Sequence, residues 1–159
     1  MNSSANQTSS LAVGTNANAS GKNATAIAGD AVALGTNALA MGKAANASGS
    51  NATAITVAAS ANGEDSVALG VRSNATGNQS MALGTNTIAS GVNATAIASN
   101  ASAIGANSDA LGVFANASAQ SALAFGTNSI ASATNATAIA SNSTATGVNS
   151  IAIGVFASA

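Results

Sequence analysis

Apolar and polar residues alternate along this chain in short bursts that recur every seven positions, with no insertion anywhere. Counted from Met1 in units of seven, the fifth position is Ala in all 23 units, from Ala5 and Ala12 to Ala152 and Ala159. The third is Ala or Ser in every unit except at Thr87. In an extended segment, positions three and five lie on one face and four and six on the other. One face is therefore tiny throughout, and the opposite face varies. Of the 16 Gly, 15 occupy position seven, with only Gly29 out of step, and Asn fills position two in 13 of the 23 units. Gly accepts positive φ and Asn the left-handed region, so positions seven, one and two predict a turn. About four strand residues and three turn residues per unit predict a β-solenoid.

A seven-residue period also invites a coiled coil, but helical heptads space their apolar residues three and four apart. Here they lie two apart. Gly costs about 1 kcal/mol against Ala in a helix interior, and Asn, Ser and Thr are poor helix formers.

A second period overlies the first. In the even-numbered units position six is always apolar: Val13, Ile27, Met41, Ile55, Leu69, Leu83, Ile97, Leu111, Phe125, Ile139 and Ile153. In the 11 complete odd units it is polar in nine, Leu34 and Ile104 being the exceptions. The structural repeat is thus 14 residues, with one apolar-faced and one polar-faced strand per coil. About 11 coils at roughly 4.8 Å per coil predict a rod of about 50 Å. An interior of Ala and Ser leaves the larger apolar side chains outside. They form one long apolar ladder, more than a monomer usually leaves in water. The ladder calls for a partner, and a second copy closed by rotational symmetry is the simplest. A 42-residue period of three coils is visible as well, since residues 78–117 match 120–159 at 25 of 40 positions.

Composition removes whole classes of chemistry. The 159 residues contain no Cys and no His, so ordinary zinc sites, disulfides and Ser-His-Asp or Cys-His nucleophiles are excluded. Three Lys and Arg against four Asp and Glu do not make a nucleic-acid footprint. Every apolar run is interrupted within a few residues, so no segment reads as inserting directly in a membrane. Met1-Asn2-Ser3-Ser4 lacks the basic start and apolar core of a secretion signal. Lys22, Asp30, Lys43, Glu64, Asp65, Arg72 and Asp109 never gather into a catalytic set. Gly21-Lys22 and Gly42-Lys43 lack the rest of a P-loop. The sequence therefore predicts no enzyme, no cofactor and no metal.

Val148-Asn149-Ser150-Ile151-Ala152-Ile153-Gly154, Asp65-Ser66-Val67-Ala68-Leu69-Gly70 and Gln79-Ser80-Met81-Ala82-Leu83-Gly84 resemble the N-S-V-A-I-G repeat of trimeric autotransporter adhesin heads. Arg72-Ser73-Asn74-Ala75-Thr76-Gly77 and Asn16-Ala17-Asn18-Ala19-Ser20-Gly21 resemble its polar S-x-A-x-G half. The likeness runs through essentially the whole chain. It implies an all-β fold, a left-handed parallel β-roll assembled as a homotrimer, at the bacterial cell surface and projecting from the outer membrane. It further implies attachment to host extracellular-matrix or cell-surface proteins. Residues 1–159 then read as a single β-roll head domain, a fragment of a longer surface protein without neck, stalk or anchor. The eleven apolar position-six residues become the expected subunit interface. Asn18, Ser20, Asn46, Ser48, Asn74, Thr76, Asn116 and Ser118 become the expected ligand-facing surface. Two other functions fit the pattern: an ice- or surface-binding solenoid, and a purely structural spacer of a surface fibre.

Individual residues carry paired readings. Asp109 stands at position four of an even unit, between Thr95 and Leu123 of the adjoining coils. It is either a rim residue, like Thr25, Thr53 and Thr137, or one of several carboxylates converging on an axis. Phe114 and Phe156 hold the turn position usually given to Asn. They are read as packing over an adjacent turn or subunit, with a binding anchor as the sharper alternative. The many Asn-x-Ser/Thr triplets, as at Asn23, Asn51, Asn74, Asn93 and Asn135, follow from turn Asn beside small polar strand residues without any glycosylation.

Overall fold

The computed structural model describes residues 2–159, and among them every regular element is a strand. The chain opens with β1 (Ser4–Ala5) and β2 (Leu11–Val13), and the pair is repeated to β21 (Thr144–Ala145) and β22 (Ile151–Ile153). Odd-numbered strands form one 11-stranded sheet and even-numbered strands a second. Each strand pairs in parallel with the strand 14 residues further on, as Leu11↔Thr25 and Val13↔Ile27, or Ser4↔Asn18. The fold is the all-β solenoid of 11 two-walled coils that the double period predicts.

Positions three and five point inward. Every buried apolar residue among the described ones is Ala, and the buried polar residues are Ser66, Ser73, Ser80, Thr87, Ser108, Ser129 and Ser143, all at position three. Only side chains of this size fit between two walls that face each other with so little between them. A hydroxyl here needs a partner, and most find one in their own turn. Ser66 Oγ donates to the Gly63 carbonyl at 2.7 Å, Ser73 Oγ to Gly70 at 2.8 Å and Thr87 Oγ1 to Gly84 at 3.0 Å. Ser80 and Ser108 Oγ have no such partner.

The turns explain why positions seven and two are so restricted. The position-three N–H donates to the position-seven carbonyl, as Ala24 to Gly21 at 3.2 Å. This closes a four-residue turn whose third residue, position two, has φ near +57°: Asn23 56°, Asn37 57°, Asn93 57°. That is the form of a type II turn, which wants Gly or Asn at this place. The position-two N–H groups bond instead to the preceding coil, as Asn37 to the Lys22 carbonyl at 2.8 Å.

Position seven carries Gly for two different reasons. In even units it has positive φ, for example Gly42 at 140°, and its N–H reaches the Ile27 carbonyl of the preceding coil at 2.9 Å. A Cβ there would also lie 2.4 Å from the Thr56 carbonyl oxygen, whereas in odd units φ is ordinary and space alone is the constraint. A Cβ at Gly35 would lie 1.9 Å from the Gly49 carbonyl oxygen of the next coil.

The odd strands have two residues where the alternation predicts about four, and the even strands three. In several coils the Ala at position five accepts twice: Ser20 N–H reaches the Ala33 carbonyl at 2.9 Å and Gly21 N–H the same oxygen at 3.3 Å. The ladder bends there into the close turn, and the strand ends early.

Candidate functional site

With no side chain larger than Thr inside, the chain's chemistry lies on its two outer walls and two turn edges. The apolar wall is the face of the even strands. All eleven predicted position-six residues fall in one column of it, joined by register pairs such as Leu69↔Leu83, Ile97↔Leu111 and Phe125↔Ile139. None is buried in the single chain. Val13, Met41, Leu69, Ile97, Phe125 and Ile153 are exposed, Phe125 at 51%, and Ile27, Ile55, Leu83, Leu111 and Ile139 are half-buried. Stacking within the column covers only the flanks of each side chain and leaves its tip in water.

The second column of this wall, at position four, is mixed. Leu11, Leu39, Val67, Met81, Leu123 and Ile151 alternate irregularly with Thr25, Thr53, Thr95, Asp109 and Thr137. Asp109 is half-buried, between Thr95 and Leu123 in the ladder.

The polar wall carries the predicted ligand-facing residues in the same register: Asn18, Asn46, Asn74 and Asn116 at position four, and Ser20, Ser48, Thr76 and Ser118 at position six. Part of their hydrogen-bonding capacity is already used. Ser48 Oγ donates to Asn46 Oδ1 at 2.7 Å, and Ser20 Oγ makes the same bond to Asn18. Asn116 Oδ1 is buried without a partner. The amide N–H groups left over give this wall a row of donors without charge.

Several functional candidates were not singled out by the sequence reading. Ile88 and Ile130, at position four of odd units, stand exposed in the polar wall, as do Leu34 and Ile104, the two exceptions already visible at position six. The signal of Ile88 and Ile130 in the sequence is an Ile at a position that is polar in eight of the 11 complete odd units. Val57, Val71 and Val113 extend the apolar wall around its turn, ending at Phe114.

The turn edges hold ladders. On one, Asn23 Nδ2 donates to Asn37 Oδ1 at 3.0 Å, Asn37 to Asn51 at 3.0 Å and Asn51 to Asp65 at 2.8 Å. A shallow recess of about 260 Å³ lies further along, lined by Glu64, Asp65, Asn78, Gln79 and Val92. Asn78 Oδ1 accepts from the Glu64 N–H at 3.1 Å, and both carboxylates are exposed. On the other edge Phe114 and Phe156 are 56% and 76% exposed with φ of 59° and 62°. A bulky residue in that region is strained. Among the described residues no three His, Cys, Asp or Glu side chains come together.

The stack presents the same outer faces again at each coil. A family model described as the YadA head domain repeat (2 copies) matches residues 5–27, 30–55, 61–87, 82–108, 110–129, 117–139 and 141–159, and the chain belongs to that family. Among solved structures it is similar to the collagen-binding domain of the Yersinia adhesin YadA. The two are 25% identical with a TM-score of 0.66, and the match covers 92% of this chain and 81% of that one. No curated protein sequence matches the chain. By family and fold the protein is a YadA-like adhesin head, a type found at the cell surface, and neither is that of an enzyme.

Proposed function

We propose that this chain is the head of a bacterial trimeric surface adhesin and attaches its cell to proteins of the host extracellular matrix. The observation that carries the reading is the opposition of the two walls. One is a continuous apolar column that a single copy leaves in water, and the other carries mainly amides and hydroxyls and no charge. Three copies joined through the position-six column from Val13 to Ile153 bury the first wall and turn the second outward. The similarity to a collagen-binding domain favours a fibrous matrix protein as the ligand. Many weak contacts, repeated along the rod and multiplied by three chains, supply the avidity. Anchoring in the outer membrane belongs, in this reading, to other parts of a longer parent protein, of which residues 1–159 form the head domain.

Adhesion of the purified head to immobilised fibrillar collagen tests the assignment. The wild type is expected to bind, and Asn74→Asp with Thr76→Asp to reduce binding while the β-sheet circular dichroism is unchanged. Equal binding by that variant would move the ligand to the turn edges, and no binding by the wild type would point to a spacer.

A further inference from the structure

The two columns of the apolar wall differ in what they encode. Position six is apolar at all eleven levels, so it holds copies together equally well in any alignment. A copy displaced by one coil, about 4.8 Å, would still place apolar on apolar. Position four is polar at Thr25, Thr53, Thr95, Asp109 and Thr137 and apolar at the other six levels. That order is irregular along the ladder, because the polar levels are two, three, one and two coils apart in turn.

We propose that the position-four column sets the register in which copies of this chain associate. The proposal rests on reading the apolar wall as a contact between copies. With the copies level, Thr25 meets Thr25, Leu39 meets Leu39, and polar and apolar levels coincide along the whole column. Shifted by one coil, eight of the ten overlapping levels set a polar side chain against an apolar one, and only the Thr95–Asp109 pair remains polar on both sides. Shifted by three coils, the 42-residue period that nearly repeats the sequence, four of eight levels are mismatched and Asp109 faces Ile151. A hydroxyl pressed against Leu or Val loses its water without gaining a partner, and a carboxylate loses more. Homotypic Thr levels let one hydroxyl bond the next. Zero displacement is also the condition for a closed ring, since any stagger leads to an open helical assembly. The irregular column thus steers a repetitive, self-adhesive wall to closure and away from filaments.

Subunit exchange tests the idea without weakening the wall. The variant Thr25→Leu, Leu39→Thr, Thr53→Leu, Val67→Thr moves two polar levels by one coil each. It remains self-matched in register but is mismatched with the wild type at four levels. Differently tagged wild-type and variant chains are refolded together and the oligomers are sorted by native mass spectrometry. Mixed oligomers are expected at least about tenfold below statistical mixing, a ratio that about 1.4 kcal/mol of unpaired polar surface already produces. Wild-type chains carrying the two tags, mixed as a control, assort statistically. Statistical mixing of variant with wild type would overturn the register proposal alone. A wild type that remains monomeric would overturn the reading of the wall as a contact between copies, and the register proposal with it.

Discussion

Gly35 and Gly29 separate the two things that glycine does in this chain. At Gly35 a Cβ would sit 1.9 Å from the Gly49 carbonyl oxygen, a backbone atom held in the coil stack. At Gly29, the one glycine out of step, the nearest atom is Thr15 O at 3.7 Å. Gly35→Ala is expected to cost about 3 kcal/mol or more as an overpacking substitution. Gly29→Ala is expected to be neutral or to stabilise by up to about 1 kcal/mol through the unfolded chain. Denaturant melts of the two variants should differ in sign or nearly so, and equal losses would show that the coil spacing is wrong. Thr56 is the converse case. It holds position seven with φ of 97°, where its neighbours in the column use Gly42 and Gly70, and its Oγ1 is buried without a partner. Relief of a β-branched residue at positive φ outweighs the entropy that Gly loses on folding. Thr56→Gly is therefore expected to raise stability by about 1 kcal/mol, read as a higher melting temperature.

At the scale of the strand, the interior tolerates one size. Ala96 is fully buried between Ala82 and Ala110 in the ladder and faces the opposite wall. Ala96→Leu is expected to destabilise by about 1–3 kcal/mol or more. A thermal melt unchanged from the wild type would mean that positions three and five do not face inward. Much of this element-level order was legible beforehand. Invariant Ala at position five marks the inner face, Asn at position two marks the left-handed turn residue, and the apolar alternation at position six separates the two walls. What was not legible depends on contacts between coils. The Gly49 carbonyl that forbids a side chain at Gly35 is 14 residues away in sequence. The shared Ala33 acceptor that shortens the odd strands is a property of the stack. Ser66 is the local counterpart, since its buried hydroxyl is satisfied inside its own turn by the Gly63 carbonyl three residues before it. Among the site residues, the walls could be assigned from sequence, and Ile88 and Ile130 were placed on the polar wall by the same repeat, while their exposure is seen only in the fold.

At the scale of the molecule, a parallel two-walled stack is quasi-one-dimensional, with each coil contacting its neighbours. Hydrophobic burial inside such a stack is limited to Ala, and the larger apolar groups of the outer wall are at most half-buried in the single chain. In the proposed trimer folding and association would be coupled, because covering the column from Val13 to Ile153 would add the apolar area that a conventional core supplies. The exposed turn edge at Val113 and Phe114 borders that same wall, so the strained φ at Phe114 is placed where a neighbouring copy can cover the ring.

Whether that wall is an interface is read from the mass of the native particle by sedimentation equilibrium. The expected mass is three times the 14.7 kDa of the chain. The variant Ile97→Asp with Ile139→Asp, which puts charge into the position-six column, is expected to dissociate or unfold the particle. A wild type that sediments as a folded monomer, with the double variant equally stable, would contradict the interface.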